Sequence, residues 1–273
     1  MQNLTTGQFY GQTNETIRLG GITLTETEYT QEKVDWHYHE NAYFTFILEG
    51  QVVEGNKKEI YHCGAGSLLF HNWQEAHYNI KPPGFTRGFH IELEHTWFKA
   101  LDINFEAVEG SLQLQNPELK LLLYRIFRET KINDTTSSLA IQTLLLETLG
   151  RLAQAQETMA RQLPTWVPKI RDMLHDTSSE SWNLQALAQT LDIHPVHLSR
   201  DFSKYFNCTL GEYIRRIKIQ KSLALLPDRS LSLTDIAYAC GFADQSHFIR
   251  CFKNLNATTP FHFRNLFDSH RPC

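Results

Sequence analysis

The sequence predicts an α+β protein of two domains, with a small antiparallel β-barrel and accompanying helices first and an all-helical domain last. Three observations lead to this fold class. Short runs of alternating apolar and polar residues come first, helical periodicity follows, and one helix-turn-helix pattern occurs twice near the end. A length of 273 residues is enough for two domains, each with its own core.

The strands of the predicted barrel lie between residues 16 and 95. Residues 42–48 and 88–93 alternate apolar and polar side chains, and turns rich in Gly or Pro, such as residues 63–66 and 82–84, separate the runs. Many short strands with close turns favour a small antiparallel barrel or sandwich.

Two helices are predicted after the strands, over residues 117–131 and 137–162, because apolar residues recur there three and four positions apart. One face of the second helix is formed by Ile141, Leu145, Leu149, Leu152 and Met159. Such a face either packs against the barrel or forms a dimer seam, and a helix of this length can do both. Pro164 and Pro168 then break the helical pattern and mark a domain boundary.

Residues 184–206 and 233–253 are two copies of one helix-turn-helix pattern. In each copy a short apolar helix is followed by a tight turn and a second helix. The small Ala188 lets two helices approach closely, Pro195 suits the first position of a helix, and Gly241 suits a turn that requires positive φ. In this motif one helix braces while the next enters the DNA major groove. Sequence-specific binding of double-stranded DNA is therefore the leading prediction.

The candidate DNA contacts are the outward residues of the second helix in each copy. They are Val196, Ser199, Arg200, Lys204, Gln245, Ser246, Ile249, Arg250 and Lys253. Arg can pair with guanine and Gln with adenine, Val and Ile can pack on thymine methyl groups, and Lys suits phosphate. A charged residue on a helix is often only a solvated surface group. Arg200 and Arg250 occupy equivalent places in the two copies, which favours a functional role.

These patterns divide the chain into a barrel domain at residues 1–110, a helical linker or dimerisation segment at 111–163, and a DNA-binding domain at 164–273. The charge distribution agrees with this division. Residues 165–273 carry 13 Lys and Arg against 10 Asp and Glu, whereas the whole chain carries 26 against 30. The surplus of positive charge is small, so binding depends on where the cations lie.

The cysteines and the hydropathy pattern predict a cytoplasmic protein with no membrane partner. The five cysteines are scattered and form no Cys-x-x-Cys pair, which argues against a disulfide framework and fits a reducing compartment. No leader pattern opens the chain, and no apolar run is long enough to cross a bilayer.

The repeated motif carries a family resemblance. In the second copy the matching residues are Ile236, Ala237, Gly241, Phe242, Asp244, Ser246, Phe248, Arg250, Phe252, Lys253, Thr259, Pro260 and Arg264. In the first copy they are Leu187, Ala188, Pro195, Leu198, Ser199, Arg200, Phe202 and Tyr213. At these spacings the C-terminal part resembles the AraC/XylS family of bacterial transcription regulators. The resemblance implies two helix-turn-helix subdomains joined by a helix, a transcriptional activator rather than an enzyme, and RNA polymerase as a partner.

Two departures from the family pattern follow the second helices. Asn207 and Ala257 stand where the family has Gly. Asn tolerates a left-handed cap, whereas Ala in that conformation is expected to cost on the order of 1 kcal/mol.

The N-terminal part resembles the cupin-like effector domain of many such regulators. The supporting residues are the run Trp36-His-Tyr-His39, residues 44–50, residues 64–66 and His77. The resemblance implies a cupin-like β-barrel whose interior holds a small-molecule effector. The candidate effector-binding residues are Trp36, His37, His39, Tyr43 and His77.

The histidines of this motif also permit a metal site. His37 and His39 alternate on one strand and can point the same way, and His77 would come from a neighbouring strand. The cupin metal set, however, adds a Glu at the position that Tyr43 holds here. We therefore favour hydrogen bonding of these side chains to an organic ligand or to the barrel, and predict no cofactor, with a metal as the alternative.

Three hypotheses remain open at this point. The first is a ligand-responsive transcription regulator, possible as a homodimer. The second is a cupin-type metalloenzyme with a helical appendage, which depends on the three histidines alone. The third is a DNA-binding protein whose barrel only dimerises.

Overall fold

The structure, a computed structural model, describes residues 2–101, 111–160, 163–175 and 183–267, with the side chains of 155–160 excluded. The strands are β1 (Gln2–Leu4), β2 (Gln12–Leu19), β3 (Ile22–Glu28), β4 (Lys33–His39), β5 (Ala42–Glu49), β6 (Gln51–Asn56), β7 (Ile60–Gly64), β8 (Leu68–His71), β9 (His77–Ile80), β10 (Arg87–Leu93) and β11 (Ser111–Gln113). The helices are α1 (His95–Ala100), α2 (Pro117–Ile132), α3 (Ser137–Ala160), α4 (Trp166–His175), α5 (Leu184–Thr190), α6 (Pro195–Phe206), α7 (Leu210–Leu225), α8 (Leu233–Ala239), α9 (Gln245–Asn256) and α10 (Pro260–Asn265).

The described residues form two compact units. The N-terminal unit contains those of Met1–Gln115 and Thr130–Ser138, and the helical unit contains those of Asn116–Glu129 and Leu139–Arg271. The strands named above all fall in the first unit, and the helices of both helix-turn-helix motifs fall in the second. The predicted α+β fold class is confirmed.

Two sheets make up the N-terminal unit, with strand orders β11-β8-β5-β10-β3-β2 and β1-β4-β9-β6-β7. Neighbouring strands pair antiparallel, except that β1 and β4 are parallel. Strand β10 is buried along its whole length, so both faces of the first sheet are shielded from solvent near its centre. The register places Tyr43 opposite His71 in the first sheet and His37 opposite His77 in the second.

A buried ion network connects strands of the N-terminal unit. Arg87 is 1 % exposed, and its Nε lies 2.9 Å from Glu26 Oε1, with Glu49 on its other side. Lys131, at the end of α2, contacts Glu26 and Glu15. Removing one member of such a network leaves a charge buried without its partner, so the network holds strands β2, β3, β5 and β10 against the end of α2.

Each helix-turn-helix copy has its own aromatic and aliphatic core. In the first, Leu187, Ala188, Leu198 and Phe202 are buried together with Tyr213 of α7. In the second, the buried residues are Ile236, Ala237, Phe248, Phe252 and Phe263. The sequence predicts that Leu198, Phe202 and Phe206 of α6 and Phe248 and Phe252 of α9 face inward; all of them are buried except Phe206, which is partly buried against the core of the first copy.

Helix α7 is anchored to both copies. Tyr213 and Ile217 belong to the core of the first copy. Lys218 Nζ donates a hydrogen bond to the carbonyl oxygen of Gly241, in the turn of the second copy, and lies 5.6 Å from the centre of the Phe242 ring. The two copies are thus held by one continuous helix rather than by a flexible linker.

Backbone turns of the same geometry recur in the two copies. Gly241 has φ +74°, and the equivalent residue of the first copy, Asp192, has φ 53°. The residues after α6 and α9, Asn207 and Ala257, share φ 53° and ψ 21°. Both helices therefore end in the left-handed conformation, as the departures from the family pattern indicated.

Helix α3 buries the apolar face that the sequence predicted. Ile141, Leu145, Leu149 and Leu152 are each at most 3 % exposed, and the side chain of Met159 lies outside the described residues. These four side chains pack within the chain, so they cannot form a dimer seam as well. Across the described part of the chain, no helix combines the length and apolarity needed to span a bilayer.

Candidate functional site

The second helix of each helix-turn-helix copy, α6 and α9, is positioned by its N-terminal cap and its buried face. His194 Nδ1 accepts a hydrogen bond from the backbone N–H of Val196, and Pro195 occupies the first turn of α6. Asp244 accepts from the N–H of His247 at 2.7 Å and caps α9. These caps satisfy N–H groups that a helix leaves without partners and fix where each helix begins.

Most of the sequence-predicted DNA contacts lie on the exposed sides of α6 and α9. The exposed ones are Val196, Ser199, Arg200, Lys204, Ser246, Arg250 and Lys253. Gln245 and Ile249 are only partly exposed. Gln245 Oε1 accepts a hydrogen bond from Thr234 Oγ1 at 2.9 Å, which ties this side chain to α8. Gln245 would have to break that hydrogen bond before both its amide oxygen and its amide nitrogen could pair with a base.

An acidic residue that the sequence reasoning missed holds two of the predicted contacts. Asp201 Oδ1 lies 3.1 Å from Arg200 Nε and 2.9 Å from Lys204 Nζ. Hydrogen bonds from Arg200 and then Lys204 lower the pKa of Asp201 to about 2. On α9, Arg250 has no acidic partner within ion-pair distance among the residues that the structure describes. Helices α6 and α9 thus differ in whether an acidic side chain contacts the arginine that is a predicted DNA contact.

The interior of the N-terminal unit contains a cluster of histidines, a tyrosine and a carboxylate. The Tyr43 hydroxyl is 3.0 Å from His77 Nε2, and the rings of His37 and His77 are 4.2 Å apart between centroids. His71 stacks on Tyr43 with 4.3 Å between ring centroids, and its Nε2 lies 3.4 Å from Glu54 Oε1. Residues from both sheets therefore meet in this interior, which we call the histidine cluster (His37, His39, Tyr43, Glu54, His71 and His77).

Backbone carbonyls fix the tautomer of two of these histidines. His77 Nδ1 is 3.0 Å from the carbonyl oxygen of Glu75, and His37 Nδ1 is 2.9 Å from that of Asp35. A carbonyl oxygen only accepts, so in each case Nδ1 carries the proton and donates it. The lone pair of each ring is then on Nε2, the atom that can accept a hydrogen bond or bind a metal, and at His77 it accepts from the Tyr43 hydroxyl.

Burial keeps the histidine cluster uncharged. Burial, assisted by His37, lowers the pKa of His77 to about 3, and burial lowers the pKa of His37. The pKa values of His39 and His71 are well below the ordinary value for the same reason, with nearby histidines adding to the effect. Burial raises the pKa of Glu54 to about 8. Neutral imidazole is the form that hydrogen-bonds as an acceptor or ligates a metal.

The structure brings together four of the five predicted effector-binding residues. His37, His39, Tyr43 and His77 are each at most 3 % exposed and lie in the histidine cluster. Trp36 is 39 % exposed and packs edge-on against Tyr78, because alternate residues of β4 point to opposite faces.

The sequence analysis did not identify Glu54, and it treated His71 and His90 as structural because they are single histidines on strands. His90 is buried and stacks on Phe9 at 3.7 Å between ring centroids, beside the histidine cluster. The structure reveals their place through the strand register: His71 lies opposite Tyr43, and Glu54 lies opposite Asn79 on the strand that carries His77.

Comparison with known protein families agrees with both halves of this description. A family model for a helix-turn-helix domain matches residues 187–266, and one for an AraC-like ligand binding domain matches residues 19–149. The fold and these matches define the class of protein: a helix-turn-helix transcription regulator with an N-terminal ligand-binding domain. The chain belongs to the AraC family of transcriptional regulators.

Individual relatives cover different parts of the chain. The probable transcription factor PqrA of Proteus vulgaris is 35% identical over 86 residues, which are 32% of this chain and 70% of PqrA. The Msm operon regulatory protein of Streptococcus mutans is 28% identical over 274 residues, covering 90% of this chain and 94% of the relative. Other relatives are matched over about half of their length. A crystal structure of ToxT from Vibrio cholerae is 14% identical, covering 92% of this chain and 99% of ToxT, with a TM-score of 0.37.

Proposed function

We propose that this regulator activates transcription by placing α6 and α9 in the major groove of double-stranded DNA, under the control of a small-molecule effector held in the N-terminal unit. The observation that carries the DNA part is the equivalence of Arg200 and Arg250. Each is exposed and occurs at the same position of a recognition helix whose opposite face is buried. Two helices held by α7 would enter successive segments of the groove, about 34 Å apart.

The predicted contacts divide into two kinds. Arg200, Arg250 and Gln245 have side chains that can pair with base edges, while Val196 and Ile249 can pack on thymine methyl groups. Ser199, Ser246, Lys204 and Lys253 suit phosphates, which position the protein on the duplex without reading sequence.

The effector part of the proposal is supported by the histidine cluster. In the histidine cluster, neutral imidazoles that accept hydrogen bonds lie beside the buried Tyr43 hydroxyl. A few convergent polar groups surrounded by aromatic side chains are typical of small-molecule sites. Residues 117–129 of α2 and 139–160 of α3 belong to the same compact unit as the helix-turn-helix copies. We infer that effector binding shifts the population between DNA-competent and DNA-incompetent arrangements through this helical segment.

The proposal includes four further expectations from the sequence. The protein acts in the cytoplasm, with RNA polymerase as its partner at promoters, and it is not an enzyme. It associates as a homodimer. The side of α3 opposite to the buried face offers a surface for this, because Leu139 is 71 % exposed and Leu146 is 41 % exposed, seven residues apart.

The DNA part is tested with two alanine variants and a matched control. An operator is first selected from a random DNA pool, and its affinity for full-length protein is measured at fixed salt concentration. Arg200→Ala and Arg250→Ala are each expected to weaken operator binding by roughly 1–3 kcal/mol. The control is Arg229→Ala, which removes an exposed arginine outside the recognition helices and should leave affinity unchanged. Unchanged affinity in both recognition-helix variants contradicts the proposed interface.

The effector part is tested by repeating the selection with candidate metabolites present. A compound that changes operator affinity in the full-length protein, but not in a His39→Ala variant that still binds DNA, supports a site in the histidine cluster. If no small molecule binds the full-length protein, the N-terminal unit is better explained as a dimerisation module.

A further inference from the structure

We propose that Glu54, His71 and His77 bind one divalent transition-metal ion inside the N-terminal unit. This site goes beyond the effector proposal, since an ion can bind there whether or not an organic effector does. It also differs from the set of His37, His39 and His77 that the sequence offered, because Glu54 of β6 and His71 of β8 take the places of His37 and His39.

The three side chains converge from both sheets. Among the residues that the structure describes, the ligand atoms of Glu54, His71 and His77 all lie within 4.8 Å of one another, and the Glu54 and His71 atoms are 3.4 Å apart. An ion with bonds of about 2.0–2.2 Å holds its ligand atoms roughly 3–4 Å apart. Small side-chain rotations are therefore enough to bring all three atoms onto one ion.

Each of the three side chains has its other polar atom held by a neighbour. His71 Nδ1 is 3.0 Å from Ser111 Oγ, and His77 Nδ1 donates to the carbonyl oxygen of Glu75. Glu54 Oε2 accepts a hydrogen bond from Asn79 Nδ2 at 3.2 Å. This arrangement leaves His71 Nε2, His77 Nε2 and Glu54 Oε1 facing the interior. Metal ligands are oriented in this way, with the outer atom of each ligand hydrogen-bonded and the inner atom free for the ion.

Two of the inner atoms lack hydrogen bonds. Glu54 Oε1 and His71 Nε2 are buried, and within the described residues neither has a hydrogen-bond partner of acceptable geometry. A buried polar atom without a partner is unfavourable, and a buried carboxylate is more so unless a cation is near. One ion would satisfy both atoms, because it offers a positive charge to the carboxylate and an empty orbital to the imidazole.

A second group, His37, His39 and His77, meets the same distance criterion. The two groups compete, because the Nδ1 of His77 is occupied and its single Nε2 lone pair serves one ion only. We favour the group with Glu54, since its carboxylate offsets part of the charge of the ion, whereas three neutral imidazoles offset none. His39 Nδ1 is also buried without a partner among the described residues, so the experiment must separate the two groups.

The donor set selects the class of metal. Two imidazoles and one carboxylate suit Zn²⁺, Fe²⁺, Co²⁺ or Mn²⁺ rather than Ca²⁺ or Mg²⁺, which prefer all-oxygen ligands. Three protein ligands leave at least one position open on a four-coordinate ion. The Tyr43 hydroxyl donates to the Nε2 lone pair of His77 at 3.0 Å, so an ion replaces this hydrogen bond and leaves the hydroxyl oxygen beside the open position.

The test is a metal titration of the full-length protein after treatment with a chelator. Co²⁺ binding is followed by its visible absorption, and Zn²⁺ affinity is obtained by competition. We expect one equivalent of metal, with affinity reduced at least about tenfold in Glu54→Gln and in His71→Gln. Glu54→Gln keeps an oxygen for Asn79 while losing the charge. Asn79→Ala, which leaves all three ligands in place, is expected to reduce affinity about tenfold through loss of orientation.

His90→Gln is the matched control, because it also replaces a buried histidine of the same unit and lies outside both metal groups. It should retain wild-type affinity, and His39→Gln should remain within about threefold of wild type. Thermal unfolding of each variant, without metal, separates loss of folding from loss of the site.

Three results overturn the proposal: no stoichiometric metal in the wild type, equal affinity in Glu54→Gln and His90→Gln, or loss of binding in His39→Gln but not in Glu54→Gln. DNA binding is not used as a readout, so these results do not bear on the proposed DNA interface.

Discussion

Replacing Ala257 with glycine is expected to stabilise the second helix-turn-helix copy. Ala257 follows α9 with φ 53° and ψ 21°, and its N–H donates to the carbonyl oxygen of Lys253 at 2.9 Å. An L-residue in this left-handed region is about 1–2 kcal/mol less favourable than in ordinary helical conformations, because its Cβ approaches the following carbonyl oxygen. Glycine has no such contact. Ala257 is exposed, so removing its methyl group sacrifices little packing.

The expected net gain is smaller than the strain. Glycine also gives the unfolded chain more conformational freedom, which opposes folding by about 0.4–1 kcal/mol. The difference leaves Ala257→Gly more stable by roughly 0.5–1 kcal/mol. Asn207→Gly is the matched control, because Asn207 has the same φ and ψ after α6 and is exposed too. Asn tolerates this conformation, so its replacement should change stability by only a few tenths of a kcal/mol.

The free energy of unfolding is measured in full-length protein by hydrogen exchange of the α9 amides, which does not require the two units to unfold together. Urea unfolding, followed by the helical circular dichroism signal, gives an independent value. The reasoning is refuted if Ala257→Gly is neutral or destabilised, or if Asn207→Gly gains as much. Operator affinity should be unaffected by either substitution, since both residues lie beyond the last predicted contact of their helices.

Three further outcomes are expected. Asp201→Asn should strengthen DNA binding severalfold and steepen its salt dependence, because it removes a negative charge beside the DNA and releases Arg200 for a base and Lys204 for a phosphate. Lys131→Met should reduce the free energy of unfolding by about 3 kcal/mol, because it leaves acidic partners buried. Burial raises the pKa of Glu92 from 4.5 in the unfolded chain to about 7. The protonated carboxyl therefore favours folding at low pH, and this stabilisation is lost as the pH rises from 4.5 through 7. Glu92→Gln should flatten this pH dependence of the free energy of unfolding.

Each of these outcomes has a direct measurement. DNA affinity at several salt concentrations checks the Asp201 variant, and an unchanged salt slope would show that this carboxylate does not compete with phosphate. Urea unfolding checks the Lys131 variant, and a loss below about 1 kcal/mol would mean that the network relaxes around the gap. For Glu92, the free energy of unfolding is compared between about pH 5 and about pH 8. Its pKa also depends on the N–H of Gly7 and on the charges of Glu40, Arg18 and Glu94. An identical slope in Glu92→Gln assigns the pH dependence to other groups.

The helical unit could be predicted closely because its signals are local. Pro195 restricts φ at the start of α6, and Gly241 permits the positive φ of the turn before α9, so each signal depends on one residue. The period of the apolar residues then determines which face is buried. Asp201 was missed because an exposed acid beside a basic residue has no distinctive pattern in a sequence, and only the structure shows which cations it contacts.

The N-terminal unit was predictable as a fold class but only partly as a site. The alternation of β4 correctly placed His37 and His39 on one face, and the same alternation excludes Trp36 from it. Glu54 and His71 could not be found in this way. They lie on strands of different sheets, and their meeting depends on how the two sheets face each other, which no local pattern determines.

The anchoring of α7 has a consequence for the promoters that this regulator controls. Because α7 holds α6 and α9 rigidly, the two DNA segments that they contact must lie at one fixed spacing along the duplex. A substitution at a contacted base pair weakens binding by a limited amount, whereas insertion of about 5 bp between the two segments turns one of them to the far side of the DNA. Target promoters are therefore expected to vary in the identity of their base pairs while keeping the distance between the two segments constant.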